Sequence, residues 1–348
     1  MNKSCLIGFL MCSAFSLVVQ AATDGAHITK TISQIERKKG IKRTIQYRPD
    51  GNDFVCVNGK NRYTRALYGG ITDFRIETSD RPVFAAYKPK DSKHICFRLQ
   101  CGNQSIALDS LKFCEARYRA GRRTYRLTDP LLGKGELNIS VLAFPDAEGG
   151  IWRFTMKDMP EGALLHCYIS EIRAKNLSRN GDMGADRADS FDAPQLPKEQ
   201  KHYKLSLDGT TAYIVVEDQE LRLPALVEGT SLYDKSEKWR SEIESSLQIS
   251  TPDPYFNPLG GALAAAADGI WDGKIWLHGA IGWRSQLNGW RAAYIGDFIG
   301  WHDRARTHFD SYAASQVTDV PATIPHPTQD TALHLSLIHI SEPTRRSY

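Results

Sequence analysis

The seven cysteines include no Cys-x-x-Cys pair, and no two of the ten histidines stand at i, i+4. The common zinc frameworks are therefore excluded. Gly-x-Ser-x-Gly, a Walker loop and a dinucleotide fingerprint are also missing, so serine-hydrolase, NTPase and Rossmann chemistry have no starting point. Net charge is only +4 over 348 residues. The one dense basic run, residues 37–43, continues into strand-like sequence and reads as a solvated edge; no nucleic-acid module accompanies it. After Val19 no apolar run is long enough to span a bilayer. Asp182, Asp186 and Asp189 lack the glycine and terminal glutamate of a calcium loop. The expectation is a protein with no cofactor, no metal, no nucleic-acid partner and no membrane span.

What is present begins with a leader. Lys3, an apolar run over residues 5–19 and Val19-Gln20-Ala21 before Ala22 read as a secretory signal, residues 1–21. This implies a periplasmic or secreted protein. Met11 before Cys12 is a poor match to a lipoprotein anchor. The later cysteines, Cys56, Cys96, Cys101, Cys114 and Cys167, are odd in number and irregular in spacing, which is no disulfide scaffold. Cys96 and Cys101 could pair or remain buried thiols. At the other end, residues 335–348 (LSLIHISEPTRRSY) resemble the frame translation of a transposase sequencing adapter. The expectation is an artefactual tail, with the natural chain continuing past about His334.

Residues 22–230 carry β signals. Alternating or β-branched runs at 44–47, 54–57, 74–78, 94–99, 137–142, 151–154, 164–169 and 212–216 are separated by turn residues such as Asn58-Gly59 and Asp208-Gly209. Many short strands punctuated in this way predict one antiparallel sandwich. The polar stretch 174–200 reads as a long loop. Near Tyr233 the character changes. Trp239, Ile243 and Leu247, four apart, predict an amphipathic helix over 234–250, stopped by Pro252 and Pro254. Further helices are expected over 257–268 and 301–316. The chain thus reads as mixed and multidomain, with an all-α second domain beginning at about residue 231 and running to 334.

Five of the seven tryptophans lie between Trp271 and Trp301, interleaved with Asp268, Asp272, Arg284, Arg291, Asp297, Asp303 and Arg304. Indole faces beside carboxylates and guanidiniums suit a sugar cleft, where pyranose C–H faces stack and hydroxyls hydrogen-bond. Gly282, Gly289, Gly296 and Gly300 are read as turning the backbone toward the ligand. Asp297, on a glycine-flanked loop among aromatics, is the candidate general acid, since desolvation there would raise its pKa. Asp268 reads as a helix end, and Asp303 as an ion partner of Arg304 and Arg306. Trp271, His278, Trp283, Arg284, Trp290, Arg291 and Trp301 are the expected substrate-binding residues.

Residues 61–69, 133–137 and 180–182 resemble the DUF4450 proteins of gut-type Bacteroidota. So do TPDPYFNPLGGALAAAADGIW and WLHGAIGWRSQLNGWRAAYIGDFIGWHDRARTHF. The resemblance covers about residues 47–330. It implies a six-hairpin glycosidase: an N-terminal antiparallel β-sandwich followed by the first helices of an (α/α)6 toroid. By analogy it further implies an inverting glycoside hydrolase acting on an oligo- or polysaccharide of plant or host origin. The second catalytic carboxylate is then expected beyond residue 331, and this stretch alone is expected to be inactive. Two other readings remain open. One is a carbohydrate-binding protein without catalysis. The other is a polysaccharide lyase relying on Tyr294, His278 and Arg291.

Overall fold

The computed structural model describes residues 46–88, 91–171, 202–278 and 289–314. The expected signal (1–21), the polar loop (174–200), Trp283, Arg284 and the tail (335–348) lie outside them.

The described strands, in chain order, are β1 (Arg48–Asp50), β2 (Asp53–Val57), β3 (Arg65–Tyr68), β4 (Arg75–Thr78), β5 (Phe84–Lys88), β6 (Asp91–Cys101), β7 (Gln104–Ala107) and β8 (Phe113–Arg119). Then come β9 (Arg122–Thr128), β10 (Glu136–Ala143), β11 (Gly149–Lys157), β12 (Leu164–Glu171), β13 (His202–Ser206), β14 (Thr211–Glu217) and β15 (Glu220–Arg222). One sheet has the order β1-β2-β8-β9-β10-β11-β14-β15. The other runs β13-β12-β6-β5-β4-β3, with β7 also on β6. Every pairing is antiparallel.

The two sheets share one apolar core, the expected sandwich. Phe84 and Phe97 from the second sheet meet Tyr125, Trp152 and Phe154 from the first. Phe84–Trp152, Phe84–Tyr125 and Phe97–Phe154 are edge-to-face at 5.7, 5.6 and 5.5 Å. Each such pair adds about 0.5–1.5 kcal/mol beyond its buried area. Cys96 and Cys101 lie on the same strand with five residue steps between them. At about 3.3 Å per step they stand about 16 Å apart, far beyond disulfide reach. The pairing is excluded, and burial pushes the Cys96 thiol up to about 11.

One buried polar network interrupts the core. Arg123 points inward near the β8–β9 turn and is fully buried, as is Asp80 on the facing loop, 3.8 Å away. Asp80 accepts from the Asn61 amide at 3.0 Å, from Thr64 Oγ1 at 3.2 Å and from the Tyr47 hydroxyl. Arg123 Nη2 donates to the Ser79 carbonyl at 2.9 Å.

Four helices complete the described chain: α1 (Leu226–Ser245), α2 (Leu259–Asp268), α3 (Gly289–Phe298) and α4 (His302–Ala314). None is long and apolar enough to cross a membrane. α1 begins eight residues before the expected Asp234. Its first turns contain Gly229, a helix-weakening residue, but there a Cβ would fall 2.4 Å from the Tyr213 ring. Close packing on the sheet therefore outweighs the propensity cost. The stripe that α1 buries is Gly229, Tyr233, Ser236 and Arg240, rather than Trp239, Ile243 and Leu247. Arg240 is tolerated there because it bonds Glu237, Glu244 and the Ala120 carbonyl of the β8–β9 turn. That turn has positive φ at both Ala120 and Gly121 (21° and 84°), the left-handed backbone that a two-residue hairpin favours.

Candidate functional site

The tryptophan-rich segment folds around Trp276. Its ring is fully buried beside Ala293 and Ala305, with Trp271, Ile295 and Trp301 half-buried around it. The indole N–H donates to the Ala267 carbonyl at 3.1 Å, and the backbone N–H of Trp276 donates to His308 Nδ1 at 3.0 Å. Trp271 and Trp276 form an isolated antiparallel bridge with ring centroids 4.6 Å apart. Trp276 is therefore core, and it organises α2, α3 and α4.

Two glycines expected to bend a loop do something else. Gly289 and Gly296 are helical, in α3. A Cβ on Gly296 would sit 2.1 Å from the Trp276 ring, so the glycine allows the helix to approach the indole. Gly300 does turn the chain, with φ of 84°. Asp297 thus lies on the last turn of a helix, not on a loop, and its side chain is 62 % exposed rather than enclosed by aromatics. His302 Nδ1–H donates to Asp297 Oδ1 at 2.9 Å, which fixes the carboxylate's direction.

Helical spacing gathers Tyr294, Asp297 and Phe298 on one face of α3. Tyr294 is 60 % exposed and Phe298 80 % exposed, so an open aromatic face flanks the carboxylate. Trp290 and Arg291 occupy the first turn of the same helix. His278 is exposed at the edge of the described chain.

Arg304, on α4, links that helix to the end of α2. Its Nη1 donates to Asp268 Oδ1 at 2.7 Å. Its guanidinium lies 4.4 Å from the Trp301 ring centre and 5.7 Å from that of Trp271. Asp268 is buried, and desolvation raises its pKa despite the opposing pull of Arg304. Asp268 also lines a cavity of about 230 Å³ between sandwich and helices, with Arg65, Tyr68, Tyr118 and Trp239 on its other walls. The sequence reading gave Arg304 to Asp303; the structure gives Asp303 only a 3.8 Å contact with Arg306. Asp272 is taken by its own turn, accepting from the Lys274 and Ile275 amides.

The arrangement brings Trp271, Trp301, Asp268 and Arg304 into one cluster, while Asp297 and His302 form a separate exposed pair. Sequence reasoning named Tyr294 only for the lyase alternative and did not single out Phe298. Their i, i+3, i+4 relation to Asp297 was the available signal. It also missed the Asp268–Arg304 pair, which joins residues 36 positions apart. Among the described residues no group of three or more metal-ligating side chains occurs.

A family model described as "Domain of unknown function (DUF4450)" matches residues 89–216, the part of the sandwich from β6 into β14. The helical segment lies outside that match. No curated protein matches the chain.

Proposed function

We propose that the chain is a carbohydrate-active protein of the secreted or periplasmic space, a glycoside hydrolase in which α1–α4 begin an (α/α)6 toroid. The observation that carries this reading is the α3 face, where Tyr294 and Phe298 stand exposed beside an Asp297 that accepts from His302. Exposed aromatic surface of this kind marks an interaction site. A pyranose ring stacks on such rings while a carboxylate accepts from its hydroxyls. The helical repeat puts position 290 in the same register, four residues before Tyr294. Arg291, His278, Trp283 and Arg284 complete the proposed saccharide contacts, and Trp271 and Trp301 back them.

In this reading Asp297 delivers the proton to the leaving glycosidic oxygen, one half of the carboxylate pair such hydrolysis needs. Asp297→Asn in the complete gene product is expected to lower turnover by about a hundredfold against its best polysaccharide. A raised KM with unchanged turnover would make Asp297 a hydroxyl ligand instead. Wild-type kinetics would remove it from the site. Products that absorb in the ultraviolet through a new double bond would reassign the reaction to a lyase.

A binding role without catalysis is favoured by one observation. Of the other carboxylates described around the tryptophans, Asp268 is committed to Arg304 and Asp272 to its turn, and Asp303 stands fully in solvent 3.8 Å from Arg306. Saccharide binding with no turnover by the complete gene product would establish that second reading.

A further inference from the structure

The outer face of the eight-stranded sheet changes character along its strands. One cross-strand row, Val215, Ile151 and Leu142, is apolar and lies under α1, where Tyr233 and Leu232 cover it. The next row across β11, β10, β9 and β8 reads Arg153, Ser140, Thr124, Arg117. The one after it reads Thr155, Asn138, Arg126, Glu115. α1 reaches the first of these rows only at Arg153 and Ser140, through Tyr233; among the described residues no helix contact is seen on the second. The two rows form the floor of an open groove of about 340 Å³, at the small end of the range for small-molecule sites, about 300–1,000 Å³.

Arg153 differs from the other arginines here. Arg117 is held by Glu115 and Asp50, both at 2.8 Å, and Arg122 by Glu237 at 2.7 Å. Arg126 has two loose carboxylates, at 3.4 and 3.5 Å. Arg153 has no ion pair or hydrogen bond to any described residue, and its Nε is buried with no acceptor. Its guanidinium is instead stacked 3.9 Å from the centre of the Tyr233 ring. Tyr233 is itself pinned, its hydroxyl 2.7 Å from Ser140 Oγ. A guanidinium ordered by stacking but left without a counter-charge is pre-organised for an oxyanion, which it binds through parallel N–H donors. Keeping that charge partly desolvated and unpaired is costly unless a ligand supplies the anion. Around it, Thr155, Asn138 and Thr124 offer hydroxyl and amide groups. The groove therefore recognises charge and hydroxyls rather than an apolar face.

We propose that this groove is a second binding site, separate from the α3 face, for an acidic saccharide whose carboxylate or sulfate seats on Arg153. The saccharide part rests on the carbohydrate reading above; the anion part stands on Arg153 and the groove alone. The test is calorimetric titration of the whole chain with tri-galacturonate, a sulfated trisaccharide, a matched neutral trisaccharide and citrate. One or both acidic trisaccharides should bind, more weakly as salt rises. Whichever binds more tightly identifies the oxyanion. Arg153→Gln should weaken that binding by about tenfold or more while leaving any binding of the neutral trisaccharide unchanged. Should Arg153→Gln fold poorly, Asn138→Ala carries the test, with an expected loss of a few-fold, on the order of one neutral hydrogen bond. Citrate binding as tightly as the acidic trisaccharides would overturn the saccharide assignment and leave an anion site. Absence of binding by every anion, or binding unchanged in both variants, would overturn the site itself. Because the readout is binding, a failure to find hydrolysis leaves the result interpretable.

Discussion

Trp276→Ala is expected to destabilise the helical segment by about 3–5 kcal/mol, the range for removing a fully buried large aromatic. The ring fills the space between α2, α3 and α4, and no neighbour can move in to replace it. Gly296 has no side chain, and Ala293 and Ala305 are the other buried members of the cluster. Trp271 loses its ring partner at 4.6 Å, and the Ala267 carbonyl loses its donor. The sandwich has its own core around Trp152 and Phe84, so the loss should be local. Thermal melts followed by near-ultraviolet circular dichroism should show the helices unfolding first, ahead of a sandwich transition near its original temperature. A single transition shifted by less than about 1 kcal/mol would mean that Trp276 is not the organising residue of this segment.

Asp80→Ala should be comparably damaging in the sandwich, at about 3–5 kcal/mol, because it strands the buried Arg123. Arg123 Nε and Nη1 already have no hydrogen-bond acceptor, so little in the surroundings can take up the charge. The same substitution removes the acceptor for the Asn61 amide, Thr64 and Tyr47. Against a typical domain stability of about 5–15 kcal/mol, that is a large share. Denaturant unfolding measures it, and the double variant Asp80→Ala/Arg123→Met should recover part of the loss by removing the stranded charge. No recovery in the double variant would show that the hydrogen bonds to Asp80, rather than the charge of Arg123, dominate the network.

Much of the sandwich was legible because its core strands alternate strongly. Runs such as residues 137–142 and 212–216 place Leu, Ile and Val at positions that cannot face water. The hairpin β8–β9 was not read from the same signal, and the reason is chemical. Its inward positions are Cys114, Ala116, Tyr118, Arg123, Tyr125 and Leu127, several of them small or polar-tipped, and its outward positions are mostly Arg and Glu. The alternation is there, but it is weak in hydrophobicity. Glycine misled the reading of α3. In sequence, Gly289, Gly296 and Gly300 look alike, yet only Gly300 has positive φ, and Gly296 is a contact point for Trp276. Whether a glycine turns the chain or admits a neighbour depends on a partner many residues away. The site was legible in composition and not in pairing. Asp268 and Arg304 were both marked, but the sequence offered Asp303 as a nearer partner.

The central claim is that the exposed face of α3 binds saccharide, and saturation-transfer NMR on the whole chain tests it most directly. Neutral oligosaccharides from plant and host glycans would be screened against the wild type and the double variant Tyr294→Ala/Phe298→Ala. Both substituted side chains are exposed, so the variant should melt close to the wild-type temperature. The account predicts transfer to pyranose ring protons in the wild type and its loss in the variant. Transfer that persists undiminished in the variant, or none from any oligosaccharide to the wild type, would contradict it.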